Sequence, residues 1–440
     1  MDGDCSGLSL DETIAAVDGL GRELNAVTSV MADRARNLGR KSAERVASGE
    51  PARALEGVSF AIKDVIDVAG FPTTMGSNVS TGPDPSTTAP VVTLLEKAGA
   101  LPVAKTNCQE FSYGILGDES AFGRVVNPLD PALCTGGSSS GSAALVAAGV
   151  VPLALGTDTA GSVRVPAACQ GIIGFKPTFG TVSTDGVFPL SPSFDTVGLF
   201  ARDIGLLTSA FEVVAGVGEG DSGADDSGSD VSGADAVPAV DLSLLKAAEA
   251  SADTAHRWVD AHLGNVRATS AKSEELGEII KRLFGIYDIV RRYEATVLHQ
   301  RFAEEQGELY QPGVWAKIMA GQTITEVDYR EQVGALEELR ASALGIFDEV
   351  DFIVTPAIEG DVLRWDQIGP ESSAPFIRYA MPFNVLGWPA VTVPISAVAE
   401  VVLGDDAGGA GLVKPESVQI VGRPHGDRGL LDFVAGLLGS

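Results

Sequence analysis

Two short stretches rich in glycine and serine hold the hydroxyl groups best suited to chemistry in this sequence. The first, from Thr135 to Ala144, reads Thr-Gly-Gly-Ser-Ser-Ser-Gly-Ser-Ala-Ala and leads into an apolar helix. The second, from Gly156 to Pro166, reads Gly-Thr-Asp-Thr-Ala-Gly-Ser-Val-Arg-Val-Pro. Turns made of small residues let backbone N–H groups converge on one point, as an oxyanion or a phosphate requires. Both stretches are therefore candidates for a site that stabilises negative charge.

Nucleotide binding is the first alternative, and the residue pattern does not favour it. A P-loop needs a lysine directly before the serine or threonine that ends the glycine-rich loop, and neither stretch has one.

An esterase of the α/β-hydrolase type is a second alternative. The segment Gly137-Ser-Ser139-Ser-Gly141 matches the G-x-S-x-G elbow, with Ser139 as nucleophile and His425 as the late histidine of a triad. Such a short match arises easily in a chain rich in glycine and serine, and it leaves the second stretch unexplained. A nitrilase-type amidase would use Cys169, but its apolar surroundings favour a packing role for that side chain.

Several further motifs follow one another along the chain. They are Val58-Ser-Phe-Ala-Ile-Lys63-Asp64, Thr73-Thr-Met-Gly-Ser77, Asn127-Pro128, Gly174-Phe-Lys-Pro-Thr178-Phe-Gly180, Ser193-Phe-Asp195-Thr-Val-Gly198 and Pro382-Phe-Asn384-Val-Leu-Gly387-Trp-Pro389-Ala390. Together with the two glycine/serine stretches they resemble the amidase signature family, serine hydrolases with a Ser–Ser–Lys triad. The resemblance covers nearly the whole chain. Ser140 and Ala160 stand where the family usually has glycine.

The resemblance implies a role for each residue that matches a family motif. It makes Ser162 the nucleophile, Ser138 the bridging serine on a cis peptide bond, and Lys63 the base. It also assigns the oxyanion hole to backbone N–H groups, those of Thr159, Ala160, Gly161 and Ser162. If position 160 needs a positive φ, alanine there would restrict the loop.

Elementary chemistry agrees with a lysine base at position 63. A serine hydroxyl is a weak nucleophile and needs a base within hydrogen-bond reach. Lysine can act as that base only when neutral, and its ordinary pKa of about 10.4 keeps it charged at pH 7. Burial among Phe60, Ala61, Ile62 and Val65 is expected to lower this pKa, because it disfavours the charged ammonium form.

The nucleophile segment also holds two opposite charges, Asp158 and Arg164. We expect them to form an ion pair that supports the loop, because a buried charge without a partner is costly. Four aromatic residues are candidates for an acyl pocket: Tyr113, Phe122, Trp315 and Trp388.

Charge and cysteine usage exclude other functional classes. Lys plus Arg number 31 against 59 Asp plus Glu, a formal charge of −28, which disfavours binding to nucleic acid or to an anionic membrane. The four cysteines are scattered, and no histidine lies at metal-ligand spacing. We therefore expect no metal and no organic cofactor. The first residues do not form a signal peptide, and the longest apolar run, 145–155, is too short to span a bilayer, so we predict a cytoplasmic protein.

The elements that must position these residues alternate between helix and strand. Residues 9–47 are predicted as helix, opened by a capping box of Ser9 and Glu12, and a short helix is predicted from the Thr88-Ala-Pro90 segment to Gly99. Strands are predicted at 57–63, 101–105, 150–155, 171–176, 351–355, 390–394 and 417–421. Residues 241–310 and 326–347 are predicted as long helices.

This alternation predicts an α/β fold, and the resemblance implies an α/β/α sandwich with a mixed central sheet. We expect one domain over 1–440, with a catalytic core at 58–200 and a helical segment within the domain at 241–347. Residues 218–239, dominated by glycine, serine, alanine and aspartate, are predicted to be a solvated loop or linker.

The predicted reaction is acyl transfer to water, with a small-molecule amide, carbamate or ester as substrate. One alternative is the glutamine-hydrolysing subunit of a tRNA-dependent amidotransferase, which would need a partner protein. Another is a relative without catalysis that only binds acyl ligands. A homodimer is left open, and the fold alone does not choose among substrates.

Overall fold

An eleven-stranded mixed sheet forms the centre of the computed structural model, which describes residues 8–216, 239–241, 262, 267–269, 273–395 and 415–439. The strands are β1 (Val27–Val30), β2 (Ser59–Lys63), β3 (Leu101–Thr106), β4 (Leu153–Asp158), β5 (Ile173–Lys176), β6 (Thr196–Ala201), β7 (Ala239–Asp241), β8 (Arg267–Thr269), β9 (Phe352–Pro356), β10 (Ala390–Pro394) and β11 (Ser417–Gly422). Their order across the sheet is β1-β3-β2-β4-β6-β5-β10-β11-β9-β7-β8. β2 runs parallel to both β3 and β4. Every pair within the run β4-β6-β5-β10-β11-β9 is antiparallel. The predicted mixed sheet is confirmed.

Helices cover both faces of this sheet. They are α1 (Leu10–Asp18), α2 (Leu20–Glu23), α3 (Ala32–Ala47), α4 (Pro90–Lys97), α5 (Ser140–Ala147), α6 (Arg164–Gln170), α7 (Ile204–Ala215), α8 (Ser273–Gln306), α9 (Pro312–Gly321), α10 (Glu326–Ala343), α11 (Ser373–Ile377), α12 (Met381–Val385) and α13 (Asp427–Leu438). Side chains on β2 alternate between the two faces, since Phe60 and Ile62 pack with α4, α7 and α13, while Ala61 packs with α1, α3 and α5. The fold is therefore the predicted α/β/α sandwich.

The first predicted helix is interrupted by a strand. The capping box of Ser9 and Glu12 is present, but α1 ends at Asp18 and β1 follows before α3 begins. β1 pairs antiparallel with β3 at the edge of the sheet. Asn25 has φ 53, which breaks helical geometry just before the strand. The prediction of helix over 27–30 is wrong because pairing with β3 outweighs the local helical pattern.

The helical segment also differs from its predicted bounds. α8 begins at Ser273, and the short strands β7 and β8 lie within or beside the region predicted as helix from 241. β7 pairs parallel with β9, so these strands extend the central sheet. Of the predicted linker, 218–238 lies outside the described residues, and Ala239 is the first residue of β7. Strand β6 and helix α7 were not predicted; Asp203 caps α7 by accepting a hydrogen bond from Leu206 N at 2.7 Å.

The parallel part of the sheet brings together the motifs that contain the candidate site residues. β2 and β4 are hydrogen-bonded neighbours that run in the same direction, so their last residues, Lys63 and Asp158, lie at one edge of the sheet. Functional groups in sheets of this kind collect at the carboxyl ends of the strands. Among the described residues, no helix is long and apolar enough to cross a membrane.

Candidate active site

Lys63 ends β2 with its side chain completely buried. Its Nζ donates hydrogen bonds to Ser138 Oγ and to Thr157 Oγ1, each at 2.7 Å. Sequence reasoning did not single out Thr157, although the Gly156-Thr157-Asp158 motif carries it. Within the described residues no carboxylate forms an ion pair with Lys63, so two neutral hydroxyls hold its ammonium group.

Burial lowers the pKa of Lys63 from 10.5 to about 8, because an ammonium group loses its hydration there. The ionisable groups of Cys108, Asp195 and Asp158 oppose this fall only in part. The direction agrees with the expectation from the sequence. At pH 7 a pKa of about 8 leaves about a tenth of the lysine neutral and able to accept a proton.

Ser138 sits in a tightly held turn before α5. The peptide bond between Gly137 and Ser138 is cis, as the family resemblance implied. Gln109 N donates to Ser138 O at 3.0 Å, and Gly137 N donates to Ile115 O at 2.7 Å. Ser140, the first departure from the family pattern, begins α5 and donates from Oγ to Gly136 O at 2.7 Å. The serine therefore fits this position.

Ser162 lies in the loop between β4 and α6, against the Ser138 turn. Its carbonyl oxygen accepts a hydrogen bond from Ser139 N at 3.3 Å, which ties the two glycine/serine stretches together. Among the hydrogen bonds of the described residues, none joins Ser162 Oγ to Ser138 Oγ. Catalytic hydrogen bonds are often loose in unliganded enzymes and tighten when substrate binds.

The loop before Ser162 presents free backbone donors. No hydrogen bond within the described part of the chain uses the N–H groups of Thr159, Ala160 or Ser162. The N–H of Gly161 is different, because it donates to Asp158 Oδ1 at 2.7 Å. Gly161 also carries the positive φ of this loop, 120°, whereas Ala160 has no positive φ. Ala160, the second residue that departs from the family pattern, is thus compatible with the loop.

Asp158 and Arg164 form the predicted ion pair, with Arg164 Nη2 2.9 Å from Asp158 Oδ1 and both side chains fully buried. Burial alone would raise the pKa of Asp158, but the charge and hydrogen bonds of Arg164 outweigh it and hold this pKa well below its usual range. Arg164 also donates to Ala380 O at 2.9 Å, to Asn384 Oδ1 at 2.5 Å and to Gln419 Oε1 at 2.5 Å. The loop that holds Ser162 is therefore fixed to α12 and β11.

Asp195 supports the same loop from β6's side. Thr159 Oγ1 donates to Asp195 Oδ1 at 2.6 Å, and Leu190 N and Ser191 N donate to its Oδ2 at 2.8 and 2.9 Å. Burial raises the pKa of Asp195 to about 6, although these hydrogen bonds oppose the rise. The sequence motif contained Asp195 but gave no role for it.

A sequence profile of the family described as Amidase matches residues 9–431. The chain belongs to the amidase signature family. One subunit of the glutamyl-tRNA(Gln) amidotransferase from Symbiobacterium thermophilum is 31% identical to this family member, over 93% of the present chain and 88% of the relative. The corresponding subunit from Chloroflexus aurantiacus is also 31% identical, over 98% and 92%.

Solved structures support the same assignment for this amidase signature protein. One described as an amidase is 29% identical, with a TM-score of 0.80 over 98% of this chain and 94% of the other. Another comes from a vestigial protein complex related to the origins of an s-triazine catabolic enzyme. It is 25% identical, with a TM-score of 0.81 over 98% and 94%.

The alternative nucleophiles lack the surroundings they would need. Ser139 Oγ donates to Thr157 O at 3.2 Å and accepts from Thr157 N at 3.3 Å, so it braces β4. His425 lies elsewhere, with its backbone N–H donating to Thr178 Oγ1 at 2.9 Å. Cys169 is fully buried in an apolar cluster, consistent with its predicted packing role. The α/β-hydrolase elbow therefore has no histidine partner in the described structure.

The cavity in front of Ser162 has a volume of about 80 Å³. Of the four aromatic candidates only Tyr113 lines it. Phe122 is 42% exposed, Trp388 packs in the core, and the ring of Trp315 packs at a tilt against Tyr310. The cavity wall is completed by residues that sequence reasoning missed, including Tyr287, Arg291 and Lys317. They belong to α8 and α9, whose position relative to the sheet no local pattern specifies.

Proposed function

We propose that this protein hydrolyses the amide bond of a small-molecule substrate through an acyl-enzyme intermediate on Ser162. The proposal rests on the buried contact of 2.7 Å between Lys63 Nζ and Ser138 Oγ, beside the Ser162 loop. Membership of the amidase signature family supports the same chemistry. Carbamates and esters are further substrates in this proposal, since the same acyl transfer applies to them.

The first half of the reaction follows from the side chains present. Neutral Lys63 has a lone pair and accepts the proton of Ser138, which accepts the proton of Ser162 as that oxygen attacks the carbonyl carbon. Rotation of the Ser162 side chain toward Ser138 completes this path. The negative charge that develops on the carbonyl oxygen faces the unused N–H groups of the loop, those of Thr159, Ala160 and Ser162.

The second half returns the proton. Protonated Lys63 gives it back through Ser138 to the departing amine, so the C–N bond breaks without releasing an anionic amide. Water then attacks the acyl-Ser162 ester, with Lys63 and Ser138 again taking a proton. The free acid is released and the hydroxyl of Ser162 is restored. One water molecule is consumed for each amide bond that is hydrolysed.

The decisive experiment compares two neighbouring serines. Ser162→Ala should abolish turnover and covalent labelling by a fluorophosphonate probe while the protein stays folded by circular dichroism. Ser139→Ala is the matched control, because its hydroxyl only braces β4, and it should keep labelling. Labelling that survives in Ser162→Ala and disappears in Ser139→Ala would contradict the proposal and favour the elbow serine.

A second candidate function is hydrolysis of glutamine within a tRNA-dependent amidotransferase made of several subunits. The likeness to two amidotransferase subunits over more than nine-tenths of this chain favours it. Co-purification with a second polypeptide, together with ammonia release from glutamine that rises when this partner is added, would support it. Steady hydrolysis of simple amides by the isolated chain, with no effect of a partner, would favour the first proposal.

A further inference from the structure

Two cationic side chains line the cavity that contains Ser162. Arg291 comes from α8 and Lys317 from α9. Their presence contrasts with the formal charge of −28 for the chain as a whole. The net charge of a chain does not determine the charge of a cavity, which depends on the ionised groups that lie around it.

The charge of Arg291 is only partly balanced. Its Nη2 lies 3.0 Å from Asp288 Oδ1, but the same carboxylate oxygen lies 2.9 Å from Nε of Arg292. One carboxylate thus serves two guanidinium groups. Lys317 Nζ lies 3.8 Å from Glu119 Oε2, a loose pair, and it donates to Tyr113 O at 2.9 Å. Positive charge therefore remains at the cavity wall.

Within the described part of the chain, three buried polar atoms of the same wall have no hydrogen-bond partner: Arg291 Nε, Tyr113 Oη and Ser112 Oγ. Tyr113 and Ser112 are only 2% and 4% exposed, so solvent does not satisfy their hydroxyls. Buried donors without partners are rare in native proteins, and each calls for an explanation such as a missing ligand. A carboxylate accepts several hydrogen bonds at once, and those from charged donors are the strongest.

We propose that this part of the cavity binds a carboxylate of the substrate, held by Arg291, Tyr113 and Ser112 with Lys317 nearby. The substrate class is then a short amide that carries a carboxylate, such as the monoamide of a small dicarboxylic acid. The inference rests on the proposed amide hydrolysis at Ser162. A cavity of about 80 Å³ suits such a compact acyl group.

The test measures kcat/KM for pairs of amides of similar size, in which one member carries a carboxylate and the other an uncharged branched group. Malonamate, succinamate and glutaramate are each compared with the amide in which an isopropyl group replaces the carboxylate, for example 4-methylpentanamide for succinamate. The best anionic member is expected to exceed its neutral partner by about 10- to 100-fold, as hydrogen bonds to a charged group suggest.

Arg291→Gln should reduce this ratio at least tenfold. Arg292→Gln is the matched control, because Arg292 shares Asp288 but does not line the cavity, and it should leave the ratio unchanged. Equal losses in both variants would overturn the assignment of Arg291.

A measurement on the unmodified protein does not depend on the folding of any variant. Succinate should slow fluorophosphonate labelling of Ser162, whereas butane-1,4-diol at the same concentration should not. Equal protection by both, or neutral amides hydrolysed as fast as anionic ones, would overturn the anionic subsite while leaving amide hydrolysis intact. Absence of both labelling and hydrolysis would instead refute the proposed function.

Discussion

The lowered pKa of Lys63 makes a prediction about activity. If neutral Lys63 is the base, kcat/KM should rise about tenfold per pH unit below pH 7, pass through half of its maximum near pH 8 and then level off. Thr157→Val removes one acceptor that stabilises the ammonium form, so this midpoint should move to lower pH. The assay is kcat/KM for one amide from pH 6 to pH 10. A flat profile, or a midpoint that rises in Thr157→Val, would refute the reasoning.

The same shift makes a prediction about stability. The unfolded chain binds a proton at Lys63 up to pH 10.5, whereas the folded chain loses it near pH 8, so this group increases the free energy of unfolding as pH rises between these values. From pH 7 to pH 10 the gain is about 2.5 kcal/mol. Lys63→Met cannot titrate and should lack this gain.

Urea unfolding of both proteins at pH 7 and pH 10 provides the measurement. Relative to the wild type, Lys63→Met should lose about 2.5 kcal/mol between the two pH values, while pH effects common to both proteins cancel. If the difference in free energy of unfolding between the two proteins is the same at both pH values, burial does not lower the pKa of Lys63.

Three further predictions concern the same site. Lys63→Ala should slow amide hydrolysis more than p-nitrophenyl ester hydrolysis, because only the amine must be protonated as it leaves; equal losses in a steady-state assay of both substrates would mean that Lys63 is not the leaving-group acid. Arg164→Met should lower the free energy of unfolding by about 3–5 kcal/mol in urea titrations, because it leaves the buried Asp158 without its partner. Arg330→Met removes an exposed ion pair and should change this free energy by less than about 1 kcal/mol. Gly161→Ala should slow fluorophosphonate labelling and lower the free energy of unfolding by about 1–3 kcal/mol, because Gly161 has a φ of 120°. Gly334→Ala is the control: this helical glycine has open space around it, so the change should leave stability unchanged or raise it. Similar effects of both variants would contradict a strained loop.

The three residues of the proposed triad could be identified from sequence because each belongs to a continuous motif. Lys63, Ser138 and Ser162 lie at the ends of strands or in turns whose small residues are visible in the chain. The ion pair of Asp158 and Arg164 was predictable for the same reason, since both residues belong to one loop.

The cationic wall of the cavity could not be predicted in this way. Arg291 and Lys317 lie on helices whose exposed and buried faces are set by packing against distant parts of the chain. Their sequences are ordinary amphipathic helices, and nothing local indicates that one face approaches Ser162. Strand β1 was missed for a related reason, because its partner β3 is distant in sequence.

The hydrogen bonds of Arg164 have a consequence for the order of folding. Its partners Ala380, Asn384 and Gln419 lie 216, 220 and 255 residues further along the chain. Contacts of such long range form late, because the chain entropy of closing large loops must be overcome first. During synthesis on the ribosome the loop that holds Ser162 therefore lacks these three hydrogen bonds until α12 and then β11 have emerged. We expect the nascent chain to remain inactive until then.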